Sequence, residues 1–245
     1  MRAMVFAAGL GTRLKPVTDS MPKALVPVCG EPLLGHVLRK LAASGYDEIV
    51  VNVHHFAGQI REYLDSHDFG VRISVSDETD LLRETGGAIR HARPLLEDAG
   101  SFLVHNVDII SDLDLRWFRE QCRPEALATL LVSERKTQRY FLFDDSMRLV
   151  GWTNIATGEV RSPYPGLDPG RCRQFAFAGI HCISSGVFDV FDSYCCPERF
   201  PIVDFYLRAC AEHPIYGAVP ESLTLIDVGK LDSLAEAERV CRACL

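Results

Sequence analysis

Short runs of two kinds alternate across the first third of the chain, and that alternation restricts the fold more than any other feature. Residues 3–7, 48–53 and 71–76 are β-rich, while 33–44 and 57–66 carry apolar residues at helical spacing. In the first helical stretch Leu33, Leu34, Val37, Leu38 and Leu41 fall on one face. Ile49, Val50 and Val51 instead form an unbroken apolar run, suited to a strand covered on both sides. A βαβαβ chain closes with right-handed crossovers, so the pattern predicts an α/β fold, with a doubly wound, mostly parallel, Rossmann-like sheet.

Beyond residue 76 a helix is expected from near Gly86, with strands at 101–106 and 128–132. From about 134 to 174 the pattern shortens to β-like pieces at 140–143 and 149–152. Turn-rich sequence such as Ser162-Pro163-Tyr164-Pro165-Gly166 interrupts this region, which reads as a small inserted β-rich lobe. A strand at 175–183, a helix at 202–212, a strand near 223–228 and a final helix from Leu231 complete the chain. At 245 residues this makes a single domain in three parts, about 1–133, 134–174 and 175–245.

Composition narrows the partners. A net charge of −7 opposes a broad nucleic-acid surface but leaves room for a local basic pocket. No apolar run approaches the roughly 18 residues of a membrane span, and the apolar start at Met1 is too short for a signal peptide. Nine cysteines, odd in number and irregularly spaced, fit reduced thiols in the cytoplasm; Cys241 and Cys244 lack the second pair that a zinc site needs. The expectation is a cytoplasmic protein, monomer or homodimer, with neither a nucleic-acid nor a membrane partner.

The segment Ala7-Ala8-Gly9-Leu10-Gly11-Thr12-Arg13-Leu14-Lys15-Pro16 comes directly after the first strand, at the edge where open α/β sheets bind ligands. Its glycines let backbone N–H groups approach phosphate oxygens, and Arg13 and Lys15 add charge. Two familiar glycine motifs fail here. Leu14 stands where the dinucleotide fingerprint needs a third glycine, and Thr12-Arg13 stand where the Walker pattern needs Lys-Ser/Thr. Pro22-Lys23-Ala24-Leu25-Val26-Pro27 then sets Lys23 between prolines, on a stiffened loop suited to hold a cation at a fixed point.

Together with Gly30-Glu31-Pro32-Leu33, these strings closely resemble the N-terminal signature of the sugar-1-phosphate nucleotidyltransferases. The resemblance implies that a nucleoside triphosphate and a sugar 1-phosphate react to give an NDP-sugar and pyrophosphate, with Mg2+ as cofactor. It implies nucleotide binding by Ala7, Ala8, Gly9, Gly11, Thr12, Arg13 and Lys23, with Arg13 and Lys23 catalytic. Glu84-Thr85-Gly86-Gly87 resembles the family's second glycine element, which implies base contacts from Thr85, Gly86 and Gly87; read by itself, Thr85 could equally cap a helix. Asn106-Val107-Asp108 and Leu225-Ile226-Asp227 resemble the two metal-binding strand ends, implying Asp108 and Asp227 as magnesium ligands. Asn106, and Gly179 in Phe177-Ala178-Gly179-Ile180-His181, are implied for the acceptor sugar. From the inserted region Arg135, Lys136, Arg139 and Trp152 are further acceptor candidates.

The chain departs from the family pattern in three places. Val107 replaces a glycine and either displaces Asp108 or narrows the sugar pocket. Leu82 and Arg83 stand where several members place a base-reading glutamine, and Lys230 stands where a threonine is common. The short stretch after Asp227 leaves no room for a C-terminal β-helix, so the resemblance is to short forms such as the N-acetylmuramate 1-phosphate uridylyltransferases and mannose-1-phosphate guanylyltransferases. Two alternatives stay open. One is a phosphocholine cytidylyltransferase of the same fold, with Tyr140, Phe141 and Trp152 as an aromatic cage. The other is an inactive nucleotide-sugar-binding regulator. His54 and His55 read as structural, for want of metal-ligand spacing.

Overall fold

A computed structural model describes residues 1–244, with side chains through Arg239. The Cys241 and Cys244 thiols lie outside the described side chains. The strands are β1 (Arg2–Phe6), β2 (Pro27–Val28), β3 (Glu31–Pro32), β4 (Glu48–Val53), β5 (Arg72–Asp77), β6 (Ser101–Asn106), β7 (Ile109–Ser111), β8 (Ala128–Ser133), β9 (Arg139–Phe143), β10 (Leu149–Asn154), β11 (Glu159–Arg161), β12 (Arg173–Ser184), β13 (Ile215–Ala218) and β14 (Leu225–Asp227). The helices are α1 (Leu33–Ala43), α2 (Ala57–Ser66), α3 (Glu84–His91), α4 (Arg93–Leu96), α5 (Leu115–Glu120), α6 (Val187–Ser193), α7 (Ile202–Ala209) and α8 (Leu231–Cys244).

The expected βαβαβ start is present. β1 lies between β4 and β6, parallel to both, and β5 extends the sheet beyond β4. The chain therefore leaves β1 toward one side and returns later on the other, and a crevice opens between the carboxyl ends of β1 and β6. The remaining strands make the sheet mixed. The long β12 runs antiparallel to β6 and β8, then continues past both to pair with β9. Through that pairing β9, β10 and β11 extend the central sheet instead of forming a sheet of their own.

Core packing follows the alternation of side chains along each strand. Ala3 and Val5 of β1 pack on one face with α1, α2 and α5, while Met4 packs on the other face with α3, α6 and α7. Each fully buried Leu or Phe in these layers contributes about 1.5–3 kcal/mol. The helix expected at 202–212 stops at Ala209, and several elements have no counterpart among the sequence-based expectations, among them β7, α5, α6 and β13. The small β7–β14 pair bears most directly on the site, because it sets Asp227 opposite Ile109, next to Asp108.

Candidate active site

A cavity of about 440 Å³ opens at the carboxyl ends of β1 and β6. Ala8 and Gly9 line it from the first glycine loop, Lys23 from the stiffened loop, and Asn106, Val107 and Asp108 from the end of β6. Within the loop Gly11 has φ +64, and its carbonyl accepts from Leu14 N and Thr18 Oγ1, both at 2.8 Å. An added Cβ at Gly11 would sit 2.9 Å from the Thr18 methyl, so both angle and space require glycine. Gly9 has no neighbour within 4 Å of such a Cβ and faces open space. Thr12 and Arg13 continue the chain in a short 3-10 turn.

Two buried side chains that the sequence did not single out anchor this loop. Asn52 Oδ1 accepts from Ala7 N at 2.7 Å and Ala8 N at 3.3 Å, and its Nδ2 donates to Glu78 Oε1 at 2.8 Å. Glu78 also accepts from Arg83 N at 3.1 Å, and both Asn52 and Glu78 line the cavity. Because Glu78 can only accept, it fixes which end of the Asn52 amide faces the loop. The only available signal was a polar Asn in an otherwise apolar strand run. His54 contacts the Glu78 carbonyl through Nδ1 at 2.6 Å, consistent with a structural position.

Lys23, Asp108, Asp227 and Arg13 converge beside the cavity. Lys23 is 8 % exposed, and its ammonium donates to Asp108 Oδ2. Val228 N donates to the Asp108 carbonyl at 2.8 Å, holding β14 against the end of β6. A Cβ on Gly229 would meet Asp227 Oδ1 at 2.8 Å and an Arg13 guanidinium nitrogen at 2.9 Å, so both groups lie over that glycine. Asp227 Oδ1 is buried without a hydrogen-bond partner. Burial, and then the Asp108 charge, push the Asp227 carboxyl above the usual range, against the pull of Lys23, Arg13 and Arg135. A half-buried carboxylate with an orphaned oxygen beside a second carboxylate is a donor set suited to a hard cation. Among the described residues no group of three or more His, Cys, Asp or Glu forms a complete metal cage.

The valine in place of glycine has a structural answer. Val107 is not among the non-glycine residues with positive φ, and its N–H bonds to Phe6 O at 3.3 Å. The backbone before Asp108 therefore needs no glycine angle, and Val107 lines the cavity.

The second glycine element is built differently. Arg83, not Thr85, stands at the N-cap of α3, and the Thr85 hydroxyl accepts from Ile202 N at 2.9 Å, at the start of α7. Thr85 still lines the cavity, whereas Gly86 and Gly87 do not. Both glycine N–H groups donate to Phe200 O, at 2.9 and 3.2 Å. Their missing side chains admit the Phe200 ring and the Glu198 carbonyl. Glu84, whose type and spacing gave no signal of its own, lines the cavity at φ +60 and pairs with Arg199. That left-handed position costs about 1–2 kcal/mol.

A second cavity of about 570 Å³ is lined by Glu134, Arg135, Arg173, Glu221 and Leu225, the last on the strand that ends at Asp227. Its residues come from 133–135, 173 and 219–225, so it is not confined to the inserted region. Arg139 and Trp152 line neither cavity. Arg139 is exposed at the start of β9, and Trp152 lies under the Arg161 guanidinium at 5.8 Å. Phe141 is 2 % exposed within the core, so Tyr140, Phe141 and Trp152 form no open aromatic cage. Gly179 has φ +74 at an irregularity in β12, and the space over it holds the Asn106 carboxamide, 2.7 Å from an added Cβ.

Comparison with known proteins shows the family and the fold. N-acetylmuramate α-1-phosphate uridylyltransferase of Caulobacter vibrioides is 34% identical over 230 residues, covering 90% of this chain and 89% of that one. The Neisseria meningitidis enzyme of the same name is 44% identical over 115 residues, covering 46% of this chain and 49% of its own length. A putative glucose-1-phosphate thymidylyltransferase from Bacillus anthracis superposes with a TM-score of 0.81 at 20% identity, covering 99% of this chain and 96% of that one. An inositol-1-phosphate CTP transferase from T. maritima gives 0.76 at 16% identity, covering 97% and 94%. With the nucleotidyl transferase family profile matching residues 2–141, the chain belongs to the nucleotidyl transferase family.

Proposed function

We propose that the chain transfers a uridylyl group from UTP to a sugar 1-phosphate that also bears a carboxylate, of the N-acetylmuramate 1-phosphate class, releasing pyrophosphate. The observation that carries this reading is the convergence of Lys23, Asp108, Asp227 and Arg13 beside the cavity at the ends of β1 and β6. The 440 Å³ cavity takes the nucleoside, bounded by Val107, Glu84 and Thr85. The 570 Å³ cavity takes the acceptor. Arg135 and Arg173 line it together with Glu134 and Glu221; the two guanidinium groups offer partners for a second anionic group on the acceptor, and the Caulobacter vibrioides relative is named for such a sugar.

In this reading the acceptor phosphate oxygen attacks the α-phosphorus in line, and the bond to the pyrophosphate oxygen breaks. A phosphate oxygen is already ionised at neutral pH, so the chain supplies no base; it brings two anions together and offsets their charge. Ala7 and Ala8 N–H groups are committed to Asn52, so the triphosphate falls to the amides of Gly9 through Thr12 and to Arg13. Lys23, fixed by Asp108, faces the transferring group. Asp108 and Asp227 would hold Mg2+, which would supply positive charge to offset that of the phosphates. Asn106, steadied over Gly179 and lining the 440 Å³ cavity beside Asp108, contacts the reacting end of the acceptor where it meets the nucleotide. Magnesium dependence and a cytoplasmic location are part of this proposal; no helix among the described residues is long and apolar enough to cross a membrane.

The test is pyrophosphate release with magnesium, for each nucleoside triphosphate against N-acetylmuramate, mannose and glucose 1-phosphates and phosphocholine. UTP with the muramate acceptor is expected to exceed the other pairs. Asp227→Asn should lower turnover at least 100-fold, about 2.7 kcal/mol, without lowering Tm of the metal-free protein, because it removes a charge held in a half-buried site. Preference for a neutral sugar 1-phosphate would overturn the acceptor assignment, and full turnover by the variant would overturn the metal site.

A further inference from the structure

Near the end of β12, three residues beyond Gly179, the sheet brings a pair of thiols to one cavity. There the beginnings of β6 and β8 and the end of β12 meet the turn after α5, around a cavity of about 430 Å³. Cys122, Cys182, Arg119, Arg123, Ser101 and Thr129 line it. Cys122 is fixed on the turn by its N–H to Arg119 O at 3.1 Å. Cys182 lies on β12 between Leu103 of β6 and Thr129 of β8, so the ladder fixes its position too. Both thiols are half-buried, open enough for a small molecule to reach through the cavity.

The Cys122 thiol donates to Phe118 O at 3.5 Å and lines the same cavity as the Cys182 thiol. The neighbouring Cys122 thiol lowers Cys182 against burial, aided by the Ser101 side chain and the Ile183 backbone, while Cys182 and burial raise Cys122. Elsewhere burial is the largest cause that pushes Cys172, Cys196 and Cys210 up. A lowered, reachable thiol with a second thiol beside it, in a cavity that two arginines also line, is the arrangement that reacts with oxidants and then closes on itself.

We propose that Cys122 and Cys182 are an oxidisable pair, reacting with a small hydroperoxide and closing to an intramolecular disulfide in the 430 Å³ cavity. The Cys182 thiolate attacks the peroxide oxygen, the O–O bond breaks, and with hydrogen peroxide a hydroxide leaves, giving the sulfenic acid. The Cys122 sulfur then attacks the Cys182 sulfur, the S–O bond breaks, and the hydroxide takes up the thiol proton. Two thiols and one peroxide thus become one disulfide and two waters. The bond ties the turn after α5 to β12, and is reopened by a thiol reductant.

The experiment treats the full chain with a few equivalents of hydrogen peroxide, caps remaining thiols with N-ethylmaleimide, and maps peptides by mass. The expected product is two hydrogens lighter, takes two fewer maleimides and yields a linked peptide pair containing Cys122 and Cys182. Its Tm rises by roughly 5–10 °C and returns with dithiothreitol. In Cys122→Ser a dimedone adduct should accumulate on Cys182, several-fold above that on the exposed Cys195. Absence of the linked pair in the unmodified chain, or oxidation of Cys195 ahead of Cys182, would overturn the proposal, and neither outcome depends on how the variants fold.

Discussion

The two glycine-rich elements look alike in the sequence, and each resembles a nucleotide-binding segment, yet their glycines do opposite things. In the first loop Gly9 faces open space, and the chain around it is held from behind by Asn52. In the second, Gly86 and Gly87 are turned away from the cavity, with their N–H groups on Phe200 and their faces against Phe200 and Glu198. One element keeps its backbone available for a ligand, while the other uses it to dock α3 on the segment that starts α7. A glycine in a motif marks a place where something comes close; only the neighbouring atoms tell whether that is a ligand or the protein itself.

Gly87→Ala is the most severe test of that division. Its Cβ would lie 2.1 Å from the Glu198 carbonyl oxygen, a backbone atom that cannot swing aside as a flexible side chain would. The expected cost is about 3 kcal/mol of stability, the upper end for overpacking, and a Tm lower by roughly 6–12 °C. The KM for nucleoside triphosphate in the folded fraction should stay within about twofold of the parent value. A raised KM at unchanged Tm would assign Gly87 to the ligand and erase the contrast.

Asn52→Ala probes the first element from behind. It unpairs the Ala7 and Ala8 N–H groups and one oxygen of Glu78, beside a cavity that water can enter. A stability loss of about 1–2 kcal/mol is expected, together with a several-fold rise in KM for the triphosphate. Asn52→Asp should not rescue it, since a second carboxylate would face Glu78. An unchanged KM would mean that the loop keeps its form without this anchor.

The same contrast explains what the sequence could and could not reveal. Periodicity in α1, α2 and β4 is local, so those elements are readable to the residue or nearly so. Lys23, Asp108 and Asp227 can be nominated because their strings match a long gapped pattern, although their approach to one another depends on the β7–β14 pairing. Glu78 and Asn52 are not readable, because a buried polar pair is defined by a contact between two strands and not by spacing along either. Arg139 and Trp152 are a cation and an aromatic in a promising region, but their strand positions direct them elsewhere. The short helices α5 and α6 carry too few turns to generate a periodic signal against the background.

Gly9→Ala carries the smallest structural effect and the cleanest reading. Nothing in the protein lies within 4 Å of the new methyl group, so stability should stay within about 0.5 kcal/mol of the parent. If the loop's open face serves the triphosphate, the methyl group occupies space the phosphates need, and KM for the triphosphate should rise about fivefold, roughly 1 kcal/mol. KM for the acceptor, which in the proposed arrangement enters through the 570 Å³ cavity, should not move. Gly9→Ala and Gly87→Ala then form a crossed pair: one changes affinity and leaves Tm, the other changes Tm and leaves affinity. Should both variants lose stability alone, the first loop would be a turn like the second, and Arg13 and Lys23 would have to bind the triphosphate without its backbone.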